Sequence, residues 1–178
     1  MRFVGLFPIR LLAQAILCST TILAGTAWPQ QGGGSRSAAL AHASVALTDG
    51  WSSFNNQGTL PFSDRPMAGF GYATLFPEVS RQQVWGCFPT RPGVFAISYQ
   101  QEGIPAFRQH TAGIAYARLF ANNTGAGLQF DYIWNKIEGY PNQKSYFTFE
   151  LGLAHRFSQR LMVGFHAFHP IPYSKDVY

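Results

Sequence analysis

From Thr124 to Phe168 the chain alternates apolar with small or polar residues almost without interruption. Ala126, Leu128, Phe130, Tyr132 and Trp134 share one parity, and Gly125, Gly127, Gln129, Asp131 and Ile133 share the other. The next stretch repeats the pattern, with Phe147, Phe149, Leu151 and Leu153 set against Tyr146, Thr148, Glu150, Gly152 and Ala154. A period of two belongs to a β-strand and excludes an amphipathic helix, whose apolar face returns every 3.6 residues. Strands of about ten residues with one apolar, aromatic row and one small, polar row predict a transmembrane β-barrel, in which the first row meets lipid and the second lines the lumen.

From Met67 onward seven such segments are expected: Met67 to Phe76, Gln83 to Phe88, Gly93 to Gln101, Arg108 to Phe120, Thr124 to Asn135, Ser145 to Phe157, and Leu161 to Phe168. Their connections read as alternately long (Pro77 to Gln82, Glu102 to Phe107, Lys136 to Lys144) and tight (Pro89 to Pro92, Ala121 to Asn123, Ser158 to Arg160), as in outer-membrane barrels. A three-residue turn at Ala121-Asn122-Asn123 sets Phe120 opposite Thr124, hence Tyr116 opposite Leu128 and Ile114 opposite Phe130 on the outer row. The inner row then pairs Ala117 with Gly127 and Gly113 with Asp131. A similar turn at Ser158-Gln159-Arg160 aligns Leu153 with Phe165 and Gly152 with His166. A slip of one residue would turn every apolar row inward, so the agreement of both turns is a strong constraint. The expected fold is all-β: an antiparallel up-and-down transmembrane β-barrel. Seven strands are odd where bacterial single-chain barrels are even. The reading is therefore an N-terminal portion of a larger barrel, with an eighth strand in Leu40 to Leu47 as the alternative.

Residues 1–27 read as a cleaved secretory signal, with Arg2 and Arg10 in a basic leader, an apolar stretch from Leu11 to Ala24 and small Gly25 and Ala27 at the cleavage site; a retained anchor is the competing reading. No other apolar run approaches the roughly 18 residues a spanning helix requires, so a membrane crossing would be made by strands, in the cell outer membrane. Residues 28–66 form a linker and a plug-like segment. Gln30 to Ser37 is rich in Gly, Gln and Ser, Ser35 to Leu47 suits a short helix ended by Asp49-Gly50, and Trp51 to Pro66 is rich in turn formers. Residues 67–178 form the barrel. Of the two cysteines, Cys18 lies in the leader and Cys87 remains. The 13 Lys and Arg residues are scattered, giving no basic stripe for nucleic acid.

The lumen-facing candidates are Gln129, Asp131, Glu150, Arg156 and His166. If Trp134 pairs with Phe147, Asp131 and Glu150 lie directly opposite, which is costly unless the charge is met. One reading is a proton-sharing pair or a cation site; the favoured one is a polar wall neutralised by Arg156 or Arg108. Alternation separates His155, on the outer row, from His166, so His155, His166 and His169 do not converge as metal ligands. No Gly-x-Ser-x-Gly elbow or Ser/His/Asp set is present. No catalytic residue, metal or cofactor is therefore assigned, and a non-enzymatic protein is expected. Gly113, Ala115, Ala117, Gly125, Gly127, Gly152, Ala154 and Gly164 make a luminal band of small residues, either a bed for the N-terminal segment or a ligand, or a concession to sheet curvature. Phe120, Tyr132, Trp134 and Phe157 read as girdle aromatics.

The stretch from Ala43 to Leu60, ASVALTDGWSSFNNQGTL, resembles the leading segment of the FadL/TodX-like outer-membrane proteins and their PorV- and PorQ-like relatives in Bacteroidota. In that family an Ala/Gly-rich segment leads to an acidic residue, an aromatic-Asn-Asn/Pro motif and the first strand; here Asn56-Gln57-Gly58 stands where many members have Asn-Pro-Ala-Gly. The resemblance covers about Ala38 to Pro170. It implies a monomeric outer-membrane barrel with a partly plugged lumen. In one branch that barrel passes hydrophobic small molecules; in the other it works beside type IX secretion components. The alternative from another class is a secreted soluble β-barrel that binds a small hydrophobic ligand. A soluble barrel keeps its apolar row inside, and the polar inner row here favours the membrane.

Overall fold

The computed structural model describes residues 32–140 and 145–168. The expected leader and His169 lie outside the described residues. Seven strands, β1 (Met67–Phe76), β2 (Val79–Pro89), β3 (Val94–Ile104), β4 (Phe107–Phe120), β5 (Thr124–Ile137), β6 (Ser145–Arg156) and β7 (Met162–Phe168), each pair antiparallel with the next. They make one up-and-down sheet curled into a half-barrel.

The register follows the parity of the sequence. Phe120 faces Thr124, Tyr116 faces Leu128, Ile114 faces Phe130, Ala117 faces Gly127 and Gly113 faces Asp131. On β6 and β7, Leu153 faces Phe165 and Gly152 faces His166. The turn that fixes the first set places Ala121 and Asn122 in the left-handed region, at φ 48° and 62°; Asn tolerates this conformation better than most residues because its short polar side chain can bond locally.

Two expectations about connections fail. β2 starts at Val79 and β3 runs to Ile104, so only residues 77–78 join β1 to β2 and only residues 105–106 join β3 to β4. Polar residues that read as loop are strand residues here, because Arg81 pairs across the sheet with both Ala73 and Glu102, and Gln83 with Gln100. The alternation of long and short connections consequently does not hold. Leu40 to Leu47 forms no eighth strand either: it is a run of turns, with Ala41 and His42 left-handed at φ 50° and 64°.

The core sits on the concave face. Short helices α1 (Ser35–Ala39) and α2 (Ser52–Asn55) and a 3-10 helix (Gln57–Phe62) precede the sheet, and the 3-10 helix packs against β4, β5, β6 and β7. Leu60 is buried with Trp85, Cys87, Val94, Ala96, Ala115 and Ala117, flanked by Trp51, Phe54 and Met67. The band of small residues is the bed on which this segment lies. A Cβ on Gly58 would stand 2.7 Å from the backbone of Gly152 and Leu153, and one on Gly127 would stand 2.7 Å from Gln57. Chain against chain at this distance leaves no room for a side chain on either surface.

Outside, the alternate row is bare. Ile114 is 66% exposed, Phe130 62% and Phe147 80%, while Asp131 is 1% and Glu150 3% exposed. The sheet thus turns a row of large apolar residues outward and buries Asp131 and Glu150 on its inner side.

Candidate functional site: a buried polar cluster

Four of the five predicted lumen-facing residues gather beneath the 3-10 helix. Gln129 faces Glu150 directly and Asp131 faces Thr148, because β5 and β6 pair two residues away from the expected register, with Trp134 opposite Ser145. Asp131 and Glu150 are therefore diagonal neighbours on one face and not directly opposed. Direct opposition would press two carboxylates together at the closest spacing a sheet allows; the observed register sets them one rung apart, where their side chains still interact.

Gln129 Nε2 donates to Asp131 Oδ1 at 2.9 Å. Gln57, in the 3-10 helix, donates from Nε2 to Glu150 Oε2 and to the Ser53 carbonyl. His166 Nε2 lies 3.1 Å from the same Glu150 oxygen. Next to Asp131, Gly113 is where Ser98 Oγ and Gln129 Nε2 crowd in; a Cβ there would stand 2.6 Å and 2.9 Å from them.

The expected neutralising arginines are elsewhere. Arg108 pairs in register with Lys136, on the row of Ile114 and Phe130, and so belongs to the outer face. Arg156 does point inward, but its guanidinium lies 4.3 Å from the centre of the Phe62 ring, where it clamps the end of the 3-10 helix. The Glu150 carboxylate is met instead by the Gln57 amide and by the His166 ring. Gln57 was not singled out from the sequence, since it sits in a stretch that reads as irregular; its contact with Glu150 spans 93 residues. A second, partly buried pair carries no sequence signal: Arg81 reaches Glu102 at 2.7 Å and 2.8 Å, with Gln83 bonded to Gln100 beside it.

Among the described residues no three His, Cys, Asp or Glu side chains gather as a metal-binding group. His155 sits apart from His166, bonded through Nδ1 to Thr124 Oγ1 at 2.8 Å. On the outer face a chain of rings crosses four strands: Tyr99 bonds His110 at 2.8 Å, His110 stacks on Trp134 with centroids 5.0 Å apart, and Trp134, Tyr132 and Phe147 continue the contacts. Such a row, bearing polar atoms on apolar rings, suits a boundary between an apolar and a wet phase. No protein-family model, curated protein or solved structure gives a match to this chain.

Proposed function

We propose that the chain is the wall of an outer-membrane β-barrel whose lumen holds its own N-terminal segment as a plug, and that it serves transport or secretion and not catalysis. The observation that carries this reading is the inversion of the sheet: apolar rings outside, buried carboxylates and amides inside. Water would penalise so large an exposed apolar surface, whereas lipid favours it.

The dimensions support it. On the outer face of β4, Arg108 and Arg118 bracket His110, Ala112, Ile114 and Tyr116. Ten residues at about 3.4 Å each and a tilt of about 40° rise roughly 25 Å, the height of the apolar band of such barrels. The ring row from Tyr99 to Phe147 stands at one end of that band. Phe120, Phe157 and Tyr116, whose hydroxyl donates to the Pro92 carbonyl at 3.0 Å, stand toward the other.

The plugged lumen that the FadL/TodX-like resemblance implies agrees with the position of residues 32–66. Passage of hydrophobic small molecules, or a place beside type IX secretion components, are the two roles that resemblance offers. The soluble ligand-binding barrel is disfavoured, because the concave face is filled by the chain itself. The test is fractionation of cells making the full chain. Recovery in the Sarkosyl-insoluble outer membrane is expected; recovery as a soluble periplasmic protein would reject the proposal.

A further inference from the structure

The cluster beneath the 3-10 helix is short of donors. Gln57 Oε1, Gln129 Oε1 and Asp131 Oδ2 are all buried acceptors with no hydrogen-bond partner among the described residues, on side chains exposed by 0%, 3% and 1%. Turning the amides over would not help. Each already aims its nitrogen at a carboxylate, and the flipped form would set oxygen against oxygen. The four side chains are joined to one another: Gln57 bonds Glu150, Gln129 bonds Asp131, and Gln129 stands opposite Glu150 in register.

Buried acceptors of this kind are expensive unless something supplies positive charge or hydrogen. A proton shared by the two carboxyl groups would supply one donor and leave both amide oxygens bare. A water would supply two donors and leave the charge. A metal cation answers both needs at once. Carboxylate and amide oxygens are hard ligands, and Ca²⁺ accepts six to eight of them in flexible geometry.

We infer that Gln57, Gln129, Asp131 and Glu150 form a site for one hard divalent cation of the calcium type, which joins the inner segment to the wall strands β5 and β6. The inference stands on contacts within the chain and holds in whichever cell fraction the protein occurs.

The test is equilibrium binding of Ca²⁺ alone to the full chain, stripped with EGTA after purification. One saturable Ca²⁺ per chain is expected, with a dissociation constant no weaker than about 1 mM, the weak limit of extracellular calcium modules, and a thermal midpoint that climbs with Ca²⁺ concentration. Asp131→Asn and Gln129→Met should each weaken binding by about tenfold or more, as losing one ligand implies. Glu102→Gln, which alters the separate Arg81 pair, should bind as the parent does. Absence of saturable Ca²⁺ binding by the unaltered chain would overturn the inference, independently of whether any variant folds. So would binding that persists undiminished in Asp131→Asn.

Discussion

Asn56 donates from Nδ2 to the carbonyl of Leu153 at 3.0 Å, across 97 residues of chain. Leu153 thus serves both surfaces of the sheet: its side chain projects outward, 48% exposed, while its backbone holds the inner segment. The same Asn56 nitrogen donates to the Val45 carbonyl at 2.6 Å, and its Oδ1 accepts from Gly58 N at 2.9 Å. A fully buried side chain with three backbone partners has no cheap replacement. Asn56→Ala should cost about 1–3 kcal/mol, the penalty for buried groups left unsatisfied, read as a lower denaturant midpoint for the detergent-folded chain.

Gly152 has Asn56 and the backbone nitrogens of Gln57 and Gly58 directly above it. Gly152→Val should lift the segment from its bed, costing about 1–3 kcal/mol by overpacking. Limited proteolysis should then cut within residues 57–62 while the strands stay protected. Ala112→Val, on the outer row of β4, should leave the pattern of cleavage unchanged.

The clamp of Arg156 on Phe62 is a contact between a cation and a ring face, of a kind worth about 0.5–2 kcal/mol. A double-mutant cycle over Arg156→Gln and Phe62→Leu should return a coupling in that range. Additive losses would mean that the two residues act separately.

Strand parity was legible because a period of two survives any environment: the same residues that alternate in sequence alternate in exposure. The register at both expected turns was legible too, since Ala121-Asn122-Asn123 admits few geometries. The ends of β2 and β3 were not. Arg81 and Glu102 carry no strand signal by themselves and become strand residues only because each finds the other across the sheet. The shift of two residues between β5 and β6 keeps every side chain on its face, so no parity argument could detect it. Of the site, Gln129, Asp131, Glu150 and His166 were legible as inner residues. Gln57 was not, because nothing local says that Gln57 will lie on Gly127.

That last contact also sharpens a substitution test. Gln129 faces inward, yet it is buried two residues from Gly127 and bonded to Asp131, and would not accept a large side chain freely. Gln109, half-buried on the inner row and opposite Glu102, is the fairer comparison. Phe130→Arg should cost about 2–4 kcal/mol by setting a charge near the middle of the apolar band, and Gln109→Arg should cost much less, measured as folded fraction in lipid. Equal losses would undo the two-face assignment.

The most direct measurement is spin-label accessibility along β4 of the chain in lipid bilayers, with Cys18 and Cys87 replaced by Ser and single cysteines placed at positions 109, 111, 112, 114 and 116. Labels at 112, 114 and 116 should be reached by lipid-soluble oxygen and shielded from a water-soluble nickel reagent, and those at 109 and 111, half-buried on the inner row, should be shielded from oxygen. The account predicts this alternation with a period of two. Labels at 112, 114 and 116 that are open to the nickel reagent and closed to oxygen would place the apolar face in water and contradict it.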